Sequence, residues 1–162
     1  MLFRSLGYLK ADRPGVLQPP EGGWHDTGDI VDLDPQGFVT IKGRAKRFAK
    51  IGGEMVSLAA VEAVAAALWT EARSTAATAP DPRKGERIVL VTEQPGAERG
   101  AFMAFAKSRH LPEIAMPSEV VSVDKLPELG GGKVDLVGVQ RMVADRAAGR
   151  EGAVSAREAE TA

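Results

Sequence analysis

Residues 43–62 read GRAKRFAKIGGEMVSLAAVE, and the fold turns on how this stretch is divided. Arg44, Lys46, Arg47 and Lys50 crowd its first half, Gly52-Gly53 interrupts it, and Ser57 precedes apolar positions at Leu58, Val61, Val64, Ala65 and Leu68. The last set recurs at three- and four-residue spacing, which predicts a helix with Ser57 as its N-cap. Arg47 to Ile51 is expected to form a short strand ahead of the double glycine. Gly52-Gly53 is either a hairpin turn or a place where a ligand passes close to backbone, and the residues alone leave both open.

Working outward, Asp29 to Leu33 and Phe38 to Lys42 alternate as strands do, and Asp34-Pro35-Gln36-Gly37 between them has Pro and Gly where a turn places them. A β-hairpin is expected there. Met1 to Gly23, punctuated by Pro14, Pro19-Pro20 and Gly22-Gly23, reads as mostly loop. Downstream, Ala72 to Ala79 is a strand whose small residues let a helix sit close. Asp81 to Gly85 is a turn, and the unbroken apolar run in Arg87 to Thr92 predicts a strand buried on both faces. A helix over Ala97 to His110 stops before Pro112, a third strand covers Ser118 to Val123, and Leu126 to Lys133 is a glycine loop. Asp135 then caps a last helix carrying Leu136, Val139, Met142 and Val143. The expected fold is α+β, with helices against a small three-stranded sheet in a domain of about 100 residues.

Composition narrows the function classes. A net charge of -1 over 162 residues argues against a general nucleic-acid binder or a charge-driven membrane-surface protein. There is no cysteine, hence no disulfide or thiolate metal site, which suits a reducing cytoplasm. No apolar run approaches the roughly 20 residues of a membrane helix, and the first residues lack the pattern of a signal peptide. No metal site is expected, because His25 has no companions at ligand spacing.

Three segments can carry chemistry. In Trp24-His25-Asp26-Thr27-Gly28-Asp29, the carboxylate of Asp29 beside Thr27 either caps the turn into the strand or accepts hydrogen bonds from a vicinal diol such as that of ribose. Arg44 and Lys46 belong either to a solvated basic face or to an anion site at a joint between two folded units. Gly130-Gly131-Gly132-Lys133 is not a nucleotide-binding P-loop, since Val134 stands where that motif needs Ser or Thr. It is either a plain surface loop or a lysine on a mobile tip, able to deliver one positive charge to another site.

The order and spacing of these segments, WHDTGDI, GRAKRFAKIGGEMVSLAAVE and LPELGGGKVD, resemble the C-terminal end of the adenylate-forming superfamily, which includes acyl-CoA synthetases, peptide-synthetase adenylation domains and luciferases. The resemblance covers roughly residues 5 to 145, a span of ordinary domain size. HDTGDIVDLDPQGFVTIKGRAKRFAKIGGEMVSL is most similar to the acyl-acyl-carrier-protein synthetase part of bacterial 2-acylglycerophosphoethanolamine acyltransferase. The resemblance implies that residues 1–43 are the tail of a large N-terminal AMP-binding domain and that 44–146 are a C-terminal lid; residues 147–162 have little to bury and are expected to be a disordered tail.

It also implies roles. In the family a carboxylic acid and ATP, with Mg2+, give acyl-adenylate and pyrophosphate, and a phosphopantetheine thiol then takes the acyl group. By motif position Asp29, with Arg44 and Thr27, would hold the ribose, Lys46 would be the hinge, and Lys133 would bridge carboxylate and α-phosphate. Gly52 and Gly53 would form the face shown to the thiol after the lid turns. The implied partners are an N-terminal ATP-binding domain, a fatty acid, and acyl carrier protein or coenzyme A, in a cytoplasmic protein associated as a whole with the inner membrane. Leu58 and Ala60 depart from the Pro and Glu of many relatives. No Ser/Thr/Gly-rich phosphate loop, magnesium-binding glutamate motif or acyl pocket occurs in these residues, so the chain alone is expected neither to bind ATP tightly nor to form acyl-adenylate. The alternative is a non-catalytic module docking on a carrier protein through Arg44 to Lys50, or the product of an interrupted gene.

Overall fold

The computed structural model describes residues 6–24 and 26–160, so His25 lies outside the described residues. The chain divides into two compact units, residues 1–45 and 46–162.

The first unit contains two hairpins. β1 (Tyr8–Leu9) pairs with β2 (Leu17–Gln18), a short ladder within the segment expected to be mostly loop. β3 (Asp29–Leu33) pairs antiparallel with β4 (Val39–Arg44), as the alternation predicts. Asp34 shapes their turn: its Oδ1 accepts the N–H groups of Gln36 at 3.0 Å and Phe38 at 2.8 Å. Gly37, at φ 87°, takes the left-handed conformation that glycine reaches without cost. Val31 opposes Ile41 and Leu33 opposes Val39, so these apolar side chains share one face. All four are exposed in this structure.

The second unit is a sheet between helices. β5 (Phe48–Ile51) and β6 (Glu54–Ser57) form a hairpin, followed at once by α1 (Leu58–Leu68). β7 (Ser74–Asp81) and β8 (Gly85–Thr92) form the longest ladder, closed by Asp81 accepting the N–H groups of Arg83 and Lys84, both at 2.9 Å. After α2 (Arg99–Ser108), β9 (Glu119–Ser122) lies parallel to β8, and α3 (Leu136–Glu160) follows. The strand order is β6-β5-β8-β7, with β9 also on β8. The three expected strands are the contiguous set β7, β8 and β9. The sheet has five because the hairpin of β5 and β6 joins it through one residue pair, Ile51 with Gly85.

β8 explains why helices cover both sides. Alternate residues of a strand point to opposite faces, and Ile88 and Leu90 enter one core while Val89 and Val91 enter the other. The first core is completed by Leu58, Val61, Val64 and Ala65 of α1 and by Phe102 and Ala106 of α2. The second is completed by Val139, Val143 and Ala147 of α3 with Leu126. Small side chains on β7 make the close approach possible: Ala76 faces α1, and Ala77 and Ala79 face α3.

Ser57 stands at the N-cap position expected of it, immediately before Leu58. It makes no side-chain capping bond; it ends β6 in extended geometry, paired with Phe48, and the helix starts from the strand. α3 continues past residue 147 to Glu160, and Ala147 is buried in the second core.

Candidate functional site

Asp29, Thr27 and Arg44 are brought together by the hairpin register, which places Asp29 directly opposite Arg44. Gly28, at φ 67°, turns the chain into β3, and Asp26 Oδ1 accepts its N–H at 2.7 Å. Thr27 Oγ1 accepts the Asp29 N–H at 3.2 Å. The Arg44 guanidinium donates to the Thr27 carbonyl at 2.7 Å and lies 2.9 Å from Asp29 Oδ1 through Nε. The turn reading is what these contacts show. Thr27 shapes the turn, while Asp29 is a largely covered carboxylate beside an exposed guanidinium, at 16% and 66% side-chain exposure. An ionised carboxylate has acceptor capacity left after one such pair, so the pair still suits a hydroxyl-rich ligand.

Lys46 lies in a single 3-10 turn, Ala45–Arg47, that leads into β5. Its ammonium is exposed, with no ion pair among the described residues, and so is that of Lys50. Arg47 is different. It donates to the Ala76 carbonyl at 3.0 Å and pairs with Glu62, whose Oε1 also accepts the Thr75 hydroxyl at 2.7 Å and the Ala76 N–H at 2.8 Å. Arg47 and Glu62 thus fasten α1 to β7. Of the four cations read as a basic patch, Arg44 and Arg47 pair with carboxylates of the chain, whereas Lys46 and Lys50 form no ion pair among the described residues.

Gly52 and Gly53 are the two central residues of the turn between β5 and β6, at φ 59° and 92°. Positive φ at both positions is the geometry of a tight hairpin whose twist matches its strands, so the turn itself requires these glycines. A Cβ at either position would meet nothing within 4 Å, so the space beside the turn's backbone is open. The Gly52 N–H donates to the Lys84 carbonyl at 2.8 Å, tying this turn to the one between β7 and β8.

Lys133 stands apart, at the end of its own loop, exposed and without a side-chain partner among the described residues. The loop is closed at its base: Glu128 bridges to Val134, and the Leu129 N–H donates to the Lys133 carbonyl at 2.8 Å. Asp135 holds both sides. Its N–H donates to the Pro127 carbonyl at 2.8 Å, and its Oδ1 accepts the Val137 N–H at 3.0 Å, the cap expected of it. Gly138 permits this closeness, because a Cβ there would lie 3.0 Å from Pro127 Cβ.

Sequence reasoning missed the residues that hold this loop to the sheet. Arg73 Nε lies 2.9 Å from Glu93 Oε2, a second guanidinium nitrogen reaches the other Glu93 oxygen, and a third pairs with Glu128. Glu93 Oε1 accepts the Leu126 N–H at 2.8 Å, and Lys125 Nζ lies 2.7 Å from Glu128. Arg73 holds Glu93 below the usual glutamate range, and Lys125 and then Arg73 do the same for Glu128. Nothing local marks the cluster, since Arg73 and Glu128 are 55 residues apart. Among the described residues no group of three or more His, Cys, Asp or Glu side chains is placed to hold a metal ion. No helix among the described residues is long and apolar enough to cross a membrane.

No family model matches the chain. Its fold is that of the C-terminal domains of adenylate-forming enzymes. It superposes on apo MatB from Rhodopseudomonas palustris with a TM-score of 0.59 at 27% identity, over 78% of this chain and 26% of that one. It superposes on apo MbtA from Mycobacterium smegmatis with a TM-score of 0.54 at 26% identity, over 76% of this chain and 24% of that one. In sequence it is 32% identical over 140 residues to a Streptomyces salicylyl-CoA synthase / salicylate adenylyltransferase, covering 82% of this chain and 25% of the relative. It is 29% identical over 146 residues to the 2,3-dihydroxybenzoate-AMP ligase of Bacillus subtilis, covering 89% and 27%. The chain's homologues and structural neighbours are therefore adenylate-forming acyl and aryl ligases, and it spans about a quarter of the length of the curated relatives it matches. These matches do not extend to the narrower likeness to an acyl-carrier-protein synthetase.

Proposed function

We propose that this chain is the lid of an ATP-dependent acid-activating ligase, with residues 1–43 the tail of its body, 44–146 the moving part and the rest of α3 a C-terminal extension. The observation that carries the reading is Lys133: an exposed, unpaired ammonium on a glycine tip whose base is held by the loop bonds and by Arg73. Such a group can enter a separate active site and stabilise the charge that develops when a carboxylate attacks the α-phosphate of ATP and pyrophosphate leaves. Lys46, exposed at the first residue of the second unit, is the pivot. Asp29, with Arg44 and Thr27, takes the ribose hydroxyls. The open side of Gly52-Gly53 faces the thiol that displaces AMP in the second step.

The thiol belongs to coenzyme A or to the phosphopantetheine of an acyl carrier protein, and the acid is a fatty or aromatic carboxylate. Resemblance to the acyl-carrier-protein synthetases favours the fatty acid, and the names of the relatives favour aromatic and short acids. ATP and Mg2+ would be held chiefly by a larger N-terminal body, in a cytoplasmic protein. The shared apolar face of Val31, Leu33, Val39 and Ile41 supports such a body, because contiguous exposed apolar surface marks an interaction site.

The test separates the two half-reactions in a ligase carrying this lid on its body. Lys133→Ala should abolish acid-dependent pyrophosphate exchange and spare thiol transfer from preformed acyl-adenylate. Equal loss of both would overturn the assignment of Lys133. Exchange activity in the 162-residue chain by itself would overturn the division between body and lid.

A further inference from the structure

Among the described residues, a charged link joins the loop that carries Lys133 to the end of the sheet, and it is centred on Arg73. Arg73 immediately precedes β7, and Glu93 immediately follows β8. The Glu93 N–H donates to the Arg73 carbonyl at 2.9 Å, so the two side chains leave from the last rung of the longest ladder in the sheet. The guanidinium engages both oxygens of Glu93 and, through its remaining nitrogen, Glu128. Glu128 is the residue at which the loop closes on itself, bridged to Val134, next to Lys133. Glu93 adds a second hold on the same segment by accepting the N–H of Leu126, which is buried.

This arrangement is more than global stability calls for. Arg73 is 42% exposed, and partly exposed ion pairs of this kind contribute little to the stability of a fold. What a planar guanidinium with fixed forks does provide is direction, because it sets the angle at which two carboxylates meet. Lys133 lies where the loop closes, its carbonyl accepting the Leu129 N–H at 2.8 Å, so the direction in which its side chain emerges is decided at the base of the loop.

We propose that Arg73 is a positioning residue for Lys133, fixing the base of its loop on the end of the sheet through Glu128 and Glu93. The inference rests on the reading of Lys133 as the adenylation lysine. Arg73 touches no substrate and acts through the loop.

Two measurements test it. In the 162-residue chain, amide hydrogen exchange at Leu129 and Gly132, whose N–H groups close the loop, is compared with exchange at Val89 in the core of β8. Arg73→Gln should raise the exchange of the loop amides relative to Val89 by roughly a factor of ten. Unchanged ratios would overturn the proposal. In the ligase carrying this lid, with salicylate and decanoate each used as the acid, Arg73→Gln should lower kcat for pyrophosphate exchange about tenfold. KM for ATP and thiol transfer from preformed acyl-adenylate should stay close to wild type. Equal loss in both half-reactions would make Arg73 merely structural and overturn the proposal. If Lys133→Ala abolishes exchange and Arg73→Gln does not lower it, the positioning role alone fails. If Lys133→Ala leaves exchange intact, the reading of Lys133 has failed and this role falls with it.

Discussion

The side-chain amide of Gln140 on α3 pairs with both backbone groups of Thr78 on β7, donating from Nε2 to the carbonyl at 2.7 Å and accepting the N–H through Oε1 at 3.3 Å. β7 is an edge strand, and its outward groups are closed by side chains along its length: Arg47 and Glu62 at Ala76, Gln140 at Thr78 and Arg87 at Pro80. An edge treated this way offers no ladder to another strand. Gln140→Ala should cost about 1 kcal/mol in urea unfolding and introduce concentration-dependent association. Sedimentation of the variant at rising concentration checks the second effect, and a strictly monomeric variant would contradict it.

Glu62 carries more. It accepts from Arg47, the Thr75 hydroxyl and the Ala76 N–H, with Thr75 buried. Glu62→Ala leaves three donors without their acceptor and should cost about 3 kcal/mol. Lys46→Ala and Lys50→Ala, which break no such contacts, should fall within about 0.5 kcal/mol of wild type. Urea denaturation of the three variants gives the comparison, and it separates the structural partner of Arg47 from the exposed lysines on either side of that arginine.

Stability should also fall with acid in a defined window. Glu93 is held below the usual range chiefly by Arg73, Glu128 chiefly by Lys125, and Asp81 chiefly by the N–H groups of Arg83 and Lys84. A depressed carboxylate pKa means that the unfolded chain takes up the proton first as pH falls. The stabilisation is complete at neutral pH and is lost as pH drops below the ordinary glutamate value of 4.5, through the folded values. Arg73→Gln removes the main cause at Glu93 and the second cause at Glu128, so the decline of stability between about pH 5 and 3 should become shallower. Denaturant midpoints across that range provide the measurement.

The Gly52-Gly53 turn separates backbone strain from crowding. Nothing lies within 4 Å of a Cβ built at either position, so a substitution pays only for its positive φ. Gly53→Ala should destabilise by about 1 kcal/mol, and Gly52→Asn should be tolerated, since asparagine enters the left-handed region readily. Thermal unfolding of the two variants checks the order. A larger loss for Gly52→Asn would mean that the turn contacts something other than solvent.

Much of the architecture was legible because it depends on local pattern. The run Ile88 to Val91 reads as a strand buried on both faces, and it is one, feeding two cores. Asp34 to Gly37 and Asp135 announce a turn and a cap by residue type alone. β6 was not visible, because Glu54-Met55-Val56-Ser57 is short and becomes a strand only by pairing with β5. The fate of Arg47 was equally hidden, since its partner arrives from the next helix 15 residues later.

Sequence by itself determined the order of elements, the apolar faces of the helices and the glycines that the turns need, because each depends on neighbours within a turn or two of chain. Tertiary structure alone decided which charges are free. Arg44 meets Asp29 across a hairpin, Arg47 meets Glu62 across a helix and a strand, and Arg73 gathers Glu93 and Glu128 from two distant segments. An ion pair forms where folding brings two charges within a few ångströms, and no spacing rule in the chain anticipates that meeting.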